Sequence, residues 1–170
     1  MMITASVVLY NTPKEEIDQI LGSLEDSSVD LVYVIDHSET EESRPIVEKF
    51  KKCRYERHKN GGYGTGHNRG IRKALSAGSK YHAVINPDVF WNEDVIRELA
   101  DFMDKEPECG LVMPRILFPN GEIQYLCKLL PTPMDLIGRR FIPLKGYTER
   151  HNFYYEMRWS GYDRVMEIPC

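Results

Sequence analysis

Basic residues are in deficit: 22 lysines and arginines stand against 26 aspartates and glutamates, a formal net charge of -4. Binders of polymeric nucleic acid usually carry a basic surplus on the contacting face, so a nucleic-acid partner is disfavoured. Cysteine is sparse and scattered. Cys53, Cys109, Cys127 and Cys170 form no C-x-x-C pair and show none of the close His/Cys spacing of a zinc site. The expectation is free thiols in a reducing, cytoplasmic setting rather than a disulfide framework. Long apolar runs are missing as well. Met1-Met2-Ile3-Thr4-Ala5-Ser6 carries no basic region followed by a long apolar stretch, and no uninterrupted apolar segment approaches bilayer-spanning length. Neither a signal peptide nor a membrane crossing is expected. There is no internal repeat and no low-complexity tract.

What is present suffices for one domain with a real core plus an arm: 170 residues, of which 42% are hydrophobic. Ile3 to Tyr10 is a short run rich in β-branched residues, followed at once by Thr12-Pro13-Lys14-Glu15. The T-x-x-E spacing with proline at the first helical position predicts a capping box and a helix, with Ile17, Ile20, Leu21 and Leu24 on its inner face. Leu31 to Ile35 reads as a buried strand, Ile46 to Phe50 as a short helix and Cys53 to Arg57 as a weaker strand. Asn68 to Ala77 reads as a helix closed by Gly78, and Tyr81 to Ile85 as a fourth strand. Asn92 is placed to cap the next helix, whose inner stripe is Val95, Leu99, Phe102 and Met103, and Gly110 to Met113 reads as a fifth strand. Strands alternating with helices imply an α/β domain with a mainly parallel sheet covered on both faces. Asn120-Gly121 between two apolar runs predicts a small hairpin appendage. Beyond Pro131 the pattern loosens into aromatic and basic residues, so we expect a core over 1–127 and an arm over 128–170.

The polar and glycine-rich segments fall after successive strands: Tyr10-Asn11, Asp36-His37-Ser38, Lys59 to Gly70 and Asn86-Pro87-Asp88. In a parallel sheet all four meet along the carboxyl edge, where ligands bind. The run from Asn60 to Gly70 holds five glycines, which lets backbone approach a ligand and aim N–H groups at phosphate; a plain surface loop is the alternative. Asp88, directly after a strand and an Asn-Pro turn, is placed to share a hard divalent cation with a diphosphate, or else to bond its own turn backbone. Asp36 is either a cap or an acceptor for a base or ribose, and His37 reads as an ordinary loop histidine.

Ser6-Val7-Val8-Leu9-Tyr10-Asn11, Val34-Ile35-Asp36-His37-Ser38, Asn60-Gly61-Gly62-Tyr63-Gly64 with Gly66, Asn68 and Gly70, and Asn86-Pro87-Asp88 form one collinear series. The series resembles family-2 glycosyltransferases of the GT-A fold, and the N-P-D spelling is similar to the rhamnosyltransferase branch. Gly110 to Arg115 and Pro119-Asn120-Gly121 are similar to that branch too. The resemblance implies inverting transfer from a nucleoside-diphosphate sugar, with dTDP or UDP as carrier, to a saccharide or lipid-linked acceptor in cell-surface polysaccharide synthesis. It further implies that Tyr10, Asn11 and Asp36 hold the base and that Asn60, Gly61, Gly62, Tyr63, Gly64, Gly66 and Asn68 close over the nucleotide. Asn86 would lie near the ribose and Asp88 on a Mg2+ or Mn2+ ion bridging the diphosphate. Asn86 stands where the family commonly has the first aspartate of D-x-D, which removes a charge from the cation's surroundings, and His37 stands where Asp or Asn is common.

Inverting transfer also needs a general base, which family members take from a carboxylate in the acceptor half after a further S-G-containing strand. Met166 to Cys170 falls where that strand is expected, so no catalytic residue is assigned; Glu156 and Asp163 are carboxylates on what reads as a solvated face. The alternatives are a truncated module that binds nucleotide-sugar without transfer and an NAD-dependent oxidoreductase. A nucleotidyltransferase is weaker. Against the oxidoreductase, the glycines follow the third strand rather than the first. In the arm, Leu129, Leu130, Met134, Leu136, Ile137 and Phe141 flank Arg139 and Arg140, a pattern that core packing or peripheral contact with the inner membrane face would each explain.

Overall fold

The computed structural model describes residues 1–91, 93–133 and 145–168. Asn92, and the arm segment with Met134, Leu136, Ile137, Arg139, Arg140 and Phe141, lie outside the described residues. The chain divides into two compact units, Met1–Val112 and Met113–Cys170.

The first unit is a four-stranded parallel sheet, β1 (Ile3–Leu9), β2 (Leu31–Asp36), β3 (Cys53–Arg57) and β4 (Tyr81–Ile85), in the order β3-β2-β1-β4. Its helices are α1 (Lys14–Asp26), α2 (Arg44–Val47), α3 (Tyr63–Ser76) and α4 (Val95–Lys105). This is the parallel α/β sheet that the strand–helix alternation predicts, and it is consistent with the Rossmann-like, GT-A type that the resemblance implies. The pleat sends alternate residues of β1 to opposite faces. Ile3, Ala5, Val7 and Leu9 join Ile17, Ile20, Leu21 and Leu24 of α1 and Ile96 and Ala100 of α4 in one apolar cluster. Val8 joins a smaller cluster with Tyr33, Ile35 and Ala74 of α3. The rest of that second face of β1 is polar: Thr4 and Ser6 are fully buried and bond to His82 and His67.

Several boundaries differ from the sequence reading. The capping box does not form, because Thr12 Oγ1 accepts from Tyr10 N–H at 3.2 Å and α1 begins after Pro13 with no side-chain cap. The cap of α4 is Asp94, whose carboxylate accepts from Arg97 N–H and from both N–H and hydroxyl of Ser28, tying α4 to the end of α1. Ile96 and Ala100 face inward, and the expected stripe of Val95, Leu99, Phe102 and Met103 is half-buried beside them. Helix α3 starts five residues earlier than expected, at Tyr63, and ends as predicted at Gly78. There, Gly78 N–H bonds Leu75 O and Ser79 N–H bonds Ala74 O, a Schellman motif with Gly78 at φ 72°. Gly110 to Met113 forms no strand, and Leu111 is exposed. Cys53, on the outer strand, is buried, and burial pushes its thiol pKa up to about 12.

The second unit retains the predicted Asn-Gly turn. Gly121 at φ 86° lets its N–H reach Phe118 O, and the flanking strands shrink to one antiparallel bridge, Leu117 to Ile123. Helix α5 (Lys145–Tyr155) and a 3-10 turn at Arg158–Ser160 follow. This stretch has its own packing: Met157 and Tyr162 are buried, Tyr162 stacks edge-on against Tyr125 at 5.4 Å, and its hydroxyl donates to Glu156 O at 2.7 Å with Cys127 O also within 3.1 Å. Among the described residues no helix is long and apolar enough to cross a membrane.

The two imidazoles under α3 give the fold a pH signature. Burial lowers the pKa of both His67 and His82 to about 4, whereas in the unfolded chain they titrate near 6.5. Between those values the unfolded state binds more protons, so this contribution to stability is complete above about pH 6.5 and is lost as pH falls toward 4. Melting curves should show a flat Tm above pH 7 and a decline below 6.5. A Tm that holds to pH 4.5 would contradict buried neutral imidazoles.

Candidate functional site

The strand order places a topological switch point between β1 and β4, since the chain runs outward from β1 to β3 and then returns to the other side of β1. Side chains after the carboxyl ends of those strands line the crevice where open α/β sheets take ligands. Tyr10 and Asn11 follow β1. Asn11 holds the left-handed conformation at φ 50°, which asparagine tolerates better than most residues, and its N–H bonds Ser38 Oγ at 2.9 Å. Asp36 ends β2 and is fully buried; Oδ1 accepts from Ser38 N–H at 2.8 Å and Oδ2 from Tyr55 O–H at 3.0 Å. A carboxylate has about four acceptor positions, so two remain. Burial, followed by the Asp36 bond, raises the Tyr55 pKa, which keeps the phenol a donor.

Over the ends of β1, β2 and β3 lies an open cavity of about 580 Å³ lined by Tyr10, His37, Ser38, Glu39, Glu41, Arg57, His58, Lys59 and Asn60. Arg57 donates to the carbonyls of Ser38 and Glu39 and so fixes the lip after β2. His37, read from sequence as an ordinary loop residue, is nearly buried in this wall, and its Nε2 has no partner among the described residues. Burial, then the neighbouring His58, lowers its pKa, so it is neutral near pH 7. Arg57 and His58 were not singled out either; the signal available was three consecutive cationic-type residues, Arg57-His58-Lys59, closing a strand.

The glycine-rich segment is a short loop running into a helix. Asn60 Oδ1 accepts from Gly62 N–H at 2.9 Å, and Gly62, at φ 89°, is the residue that turns the chain into α3. Gly61 and Gly64 are exposed, as is Asn68 on the second turn of the helix. Gly66 is buried instead, because a Cβ there would come within 2.6 Å of Val8 and 3.1 Å of His37. Tyr63 leans from the first turn across the switch point, and its hydroxyl donates to Asn86 Oδ1. Burial, followed by the charge of Asp88, raises the Tyr63 pKa, so these three residues form one cluster at the end of β4.

Tyr10, Asn11, Asp36 and Asn60 thus gather over β1–β3, and Tyr63, Asn86 and Asp88 gather over β1–β4. Among the described residues no group of three or more His, Cys, Asp or Glu side chains is placed to hold an ion. The donor set at Asp88 and Asn86, one exposed carboxylate and one amide oxygen, is oxygen-only and suits a hard cation that takes most of its ligands from phosphate and water. In the second unit Glu156 is not on a solvated face. Burial would raise its pKa, but bonds from Arg158 at 2.8 Å and Lys128 at 3.2 Å outweigh it and hold the carboxyl below its usual range. Asp163 is exposed.

No curated protein matches the chain. The profile described as Glycosyl transferase family 2 matches residues 4–161, a span that takes in every strand of the sheet and all four polar segments on its carboxyl edge, and the chain belongs to that family of glycosyltransferases.

Proposed function

We propose that the first unit binds a nucleoside-diphosphate sugar for inverting transfer, with the base over β1–β3 and the diphosphate at the switch point. The observation that carries this reading is the pairing of a cavity large enough for a nucleoside with the adjoining Tyr63, Asn86 and Asp88 cluster. The exposed face of Tyr10 suits stacking against a planar base, and the mixed polar wall of Ser38, Glu39, Glu41 and Arg57 suits hydrogen bonds to its edge. Asp36 is fully buried, so it acts on the base through Ser38, whose backbone N–H it holds and which lines the cavity. At the start of α3 the Gly62 and Thr65 N–H groups are taken up by Asn60 Oδ1 and Gly62 O, and those of Tyr63 and Gly64 suit phosphate oxygens.

Asp88 and Asn86 would hold Mg2+ or Mn2+ against the diphosphate, and such an ion stabilises the negative charge that develops on the leaving group. Within this class, the Asn86-Pro87-Asp88 spelling favours a rhamnosyl donor on dTDP or UDP, with a saccharide or lipid-linked acceptor. Because Glu156 is already committed to two cations, it serves as an anchor of the second unit rather than as the base.

Isothermal titration with UDP, dTDP, GDP and ADP, each with and without manganese, tests the reading. One pyrimidine nucleotide should bind with an affinity that manganese improves, and the metal alone should bind weakly. Equal, metal-independent binding of all four would overturn it.

A further inference from the structure

A line of buried polar contacts runs beneath α3, and its direction can be worked out from the protons available. Ser79 Oγ lies 2.7 Å from Tyr81 O and 3.0 Å from Thr4 Oγ1. A carbonyl has no proton to give, so the single Ser79 proton goes to Tyr81 and the Ser79 oxygen accepts from Thr4. With the Thr4 proton used, its 2.8 Å contact with His82 Nδ1 requires the proton on the ring. Neutral His82 then has an acceptor at Nε2, which takes the Ser6 proton at 2.9 Å. Ser6 has nothing left to donate, so its 2.8 Å contact with His67 Nδ1 is donated by His67. The chain Ser79–Thr4–His82–Ser6–His67 therefore fixes His67 as the Nδ1–H tautomer, with Nε2 a lone pair that finds no donor among the described residues.

The ring held in this way meets Tyr63 one helical turn earlier, edge-on at 4.3 Å. Tyr63 in turn bonds Asn86 beside Asp88. We propose that His67 is a positioning residue for the switch-point cluster: the buried relay orients its ring, the ring sets Tyr63, and Tyr63 presents Asn86 to the ligand. The proposal rests on the assignment of Asn86 and Asp88 to the diphosphate made above. It separates two jobs in one side chain. The Nδ1–H satisfies Ser6 and serves the fold, whereas the ring serves the site.

Two variants divide those jobs. His67→Asn keeps an N–H donor where Nδ1 stands but removes the ring, and His67→Phe keeps a ring but leaves Ser6 without its donor. His67→Asn should melt somewhat lower for the cavity its lost ring leaves but, well below its Tm, shift the Tyr63 ring resonances and weaken the tightest nucleotide of the UDP, dTDP, GDP and ADP panel in manganese by roughly three- to tenfold. His67→Phe should melt lower yet bind, well below its Tm, within about threefold of the parent, since that aromatic contact persists. Nitrogen-15 spectra of the imidazoles should show His67 protonated at Nδ1 alone. Unchanged affinity in His67→Asn, or a proton on Nε2 of His67, would overturn the proposal. If the parent binds no nucleotide of the panel, the functional reading fails by itself; Tyr63 resonances in free His67→Asn then decide, and their failure to move overturns the positioning role.

Discussion

Replacing Gly70 with alanine is expected to destabilise the first unit strongly. A Cβ at Gly70 would stand 2.5 Å from Ser6 Cβ and 3.1 Å from Ser6 Oγ. Ser6 cannot yield as a flexible side-chain tip would, because it lies mid-strand between β2 and β4 and its hydroxyl bridges His67 and His82. Either α3 lifts from the sheet or β1 bends. Overpacking of this kind costs about 1–3 kcal/mol, and each neutral hydrogen bond broken in the relay adds about 1 kcal/mol. In a chain of this size that corresponds to a Tm lower by roughly 5–15 °C. Gly64 provides the control, since nothing lies within 4 Å of a Cβ there. Alanine at Gly64 should leave the Tm unchanged or raise it by the helix-propensity gain of up to about 1 kcal/mol. Scanning calorimetry on both variants checks the pair, and a Gly70→Ala protein that melts with the parent would show that α3 is not seated on Ser6 as described.

Asp88→Ala is expected to have the largest effect on ligand binding with the smallest effect on the fold. The carboxylate is exposed at the end of β4, so its loss leaves the apolar cluster and the sheet intact. If it carries the cation that neutralises the diphosphate, the gain in affinity that manganese gives the parent should vanish, a loss of roughly ten- to a hundredfold. The metal-free affinity should stay near that of the parent. Calorimetric titration of both proteins in saturating manganese and in chelator gives the comparison. Equal manganese enhancement in the two would remove Asp88 from the cation's surroundings and return it to the bland role of a turn residue.

β1, β2 and β4 were legible because each is a short, mostly apolar run bounded by turn residues; β3, Cys53-Arg54-Tyr55-Glu56-Arg57, gave only a weak signal, and the apolar run Gly110 to Met113 gave a strand that does not form. The order of polar segments followed from the parallel topology. The site's outline was therefore readable before its geometry. What sequence could not show is tertiary. Of the five glycines between Asn60 and Gly70, only Gly70 fell within the helix expected from Asn68, yet α3 begins at Tyr63, and Gly66 and Gly70 are what let it lie against β1; packing outweighs the weak helix propensity of the segment. Thr4 and Ser6 were absorbed into an apolar run, although their period-two spacing marked one face of β1 as polar and implied partners across the layer. His37 looked like a loop histidine because nothing local indicates that it closes a cavity wall. Glu156 looked solvated because its partners Lys128 and Arg158 stand 28 and 2 residues away, on a stretch without periodicity.

The position of Cys53 has a practical consequence. Its thiol is buried in the apolar cluster at the β3 edge of the sheet and held in the unreactive protonated form, whereas Cys109 and Cys127 are partly exposed. An alkylating reagent at neutral pH therefore meets Cys53 only when the cluster at this edge of the sheet opens. The wild-type chain carries its own stopwatch for the opening of one sheet edge, and that edge is the one from which Arg57, His58 and Lys59 project into the cavity.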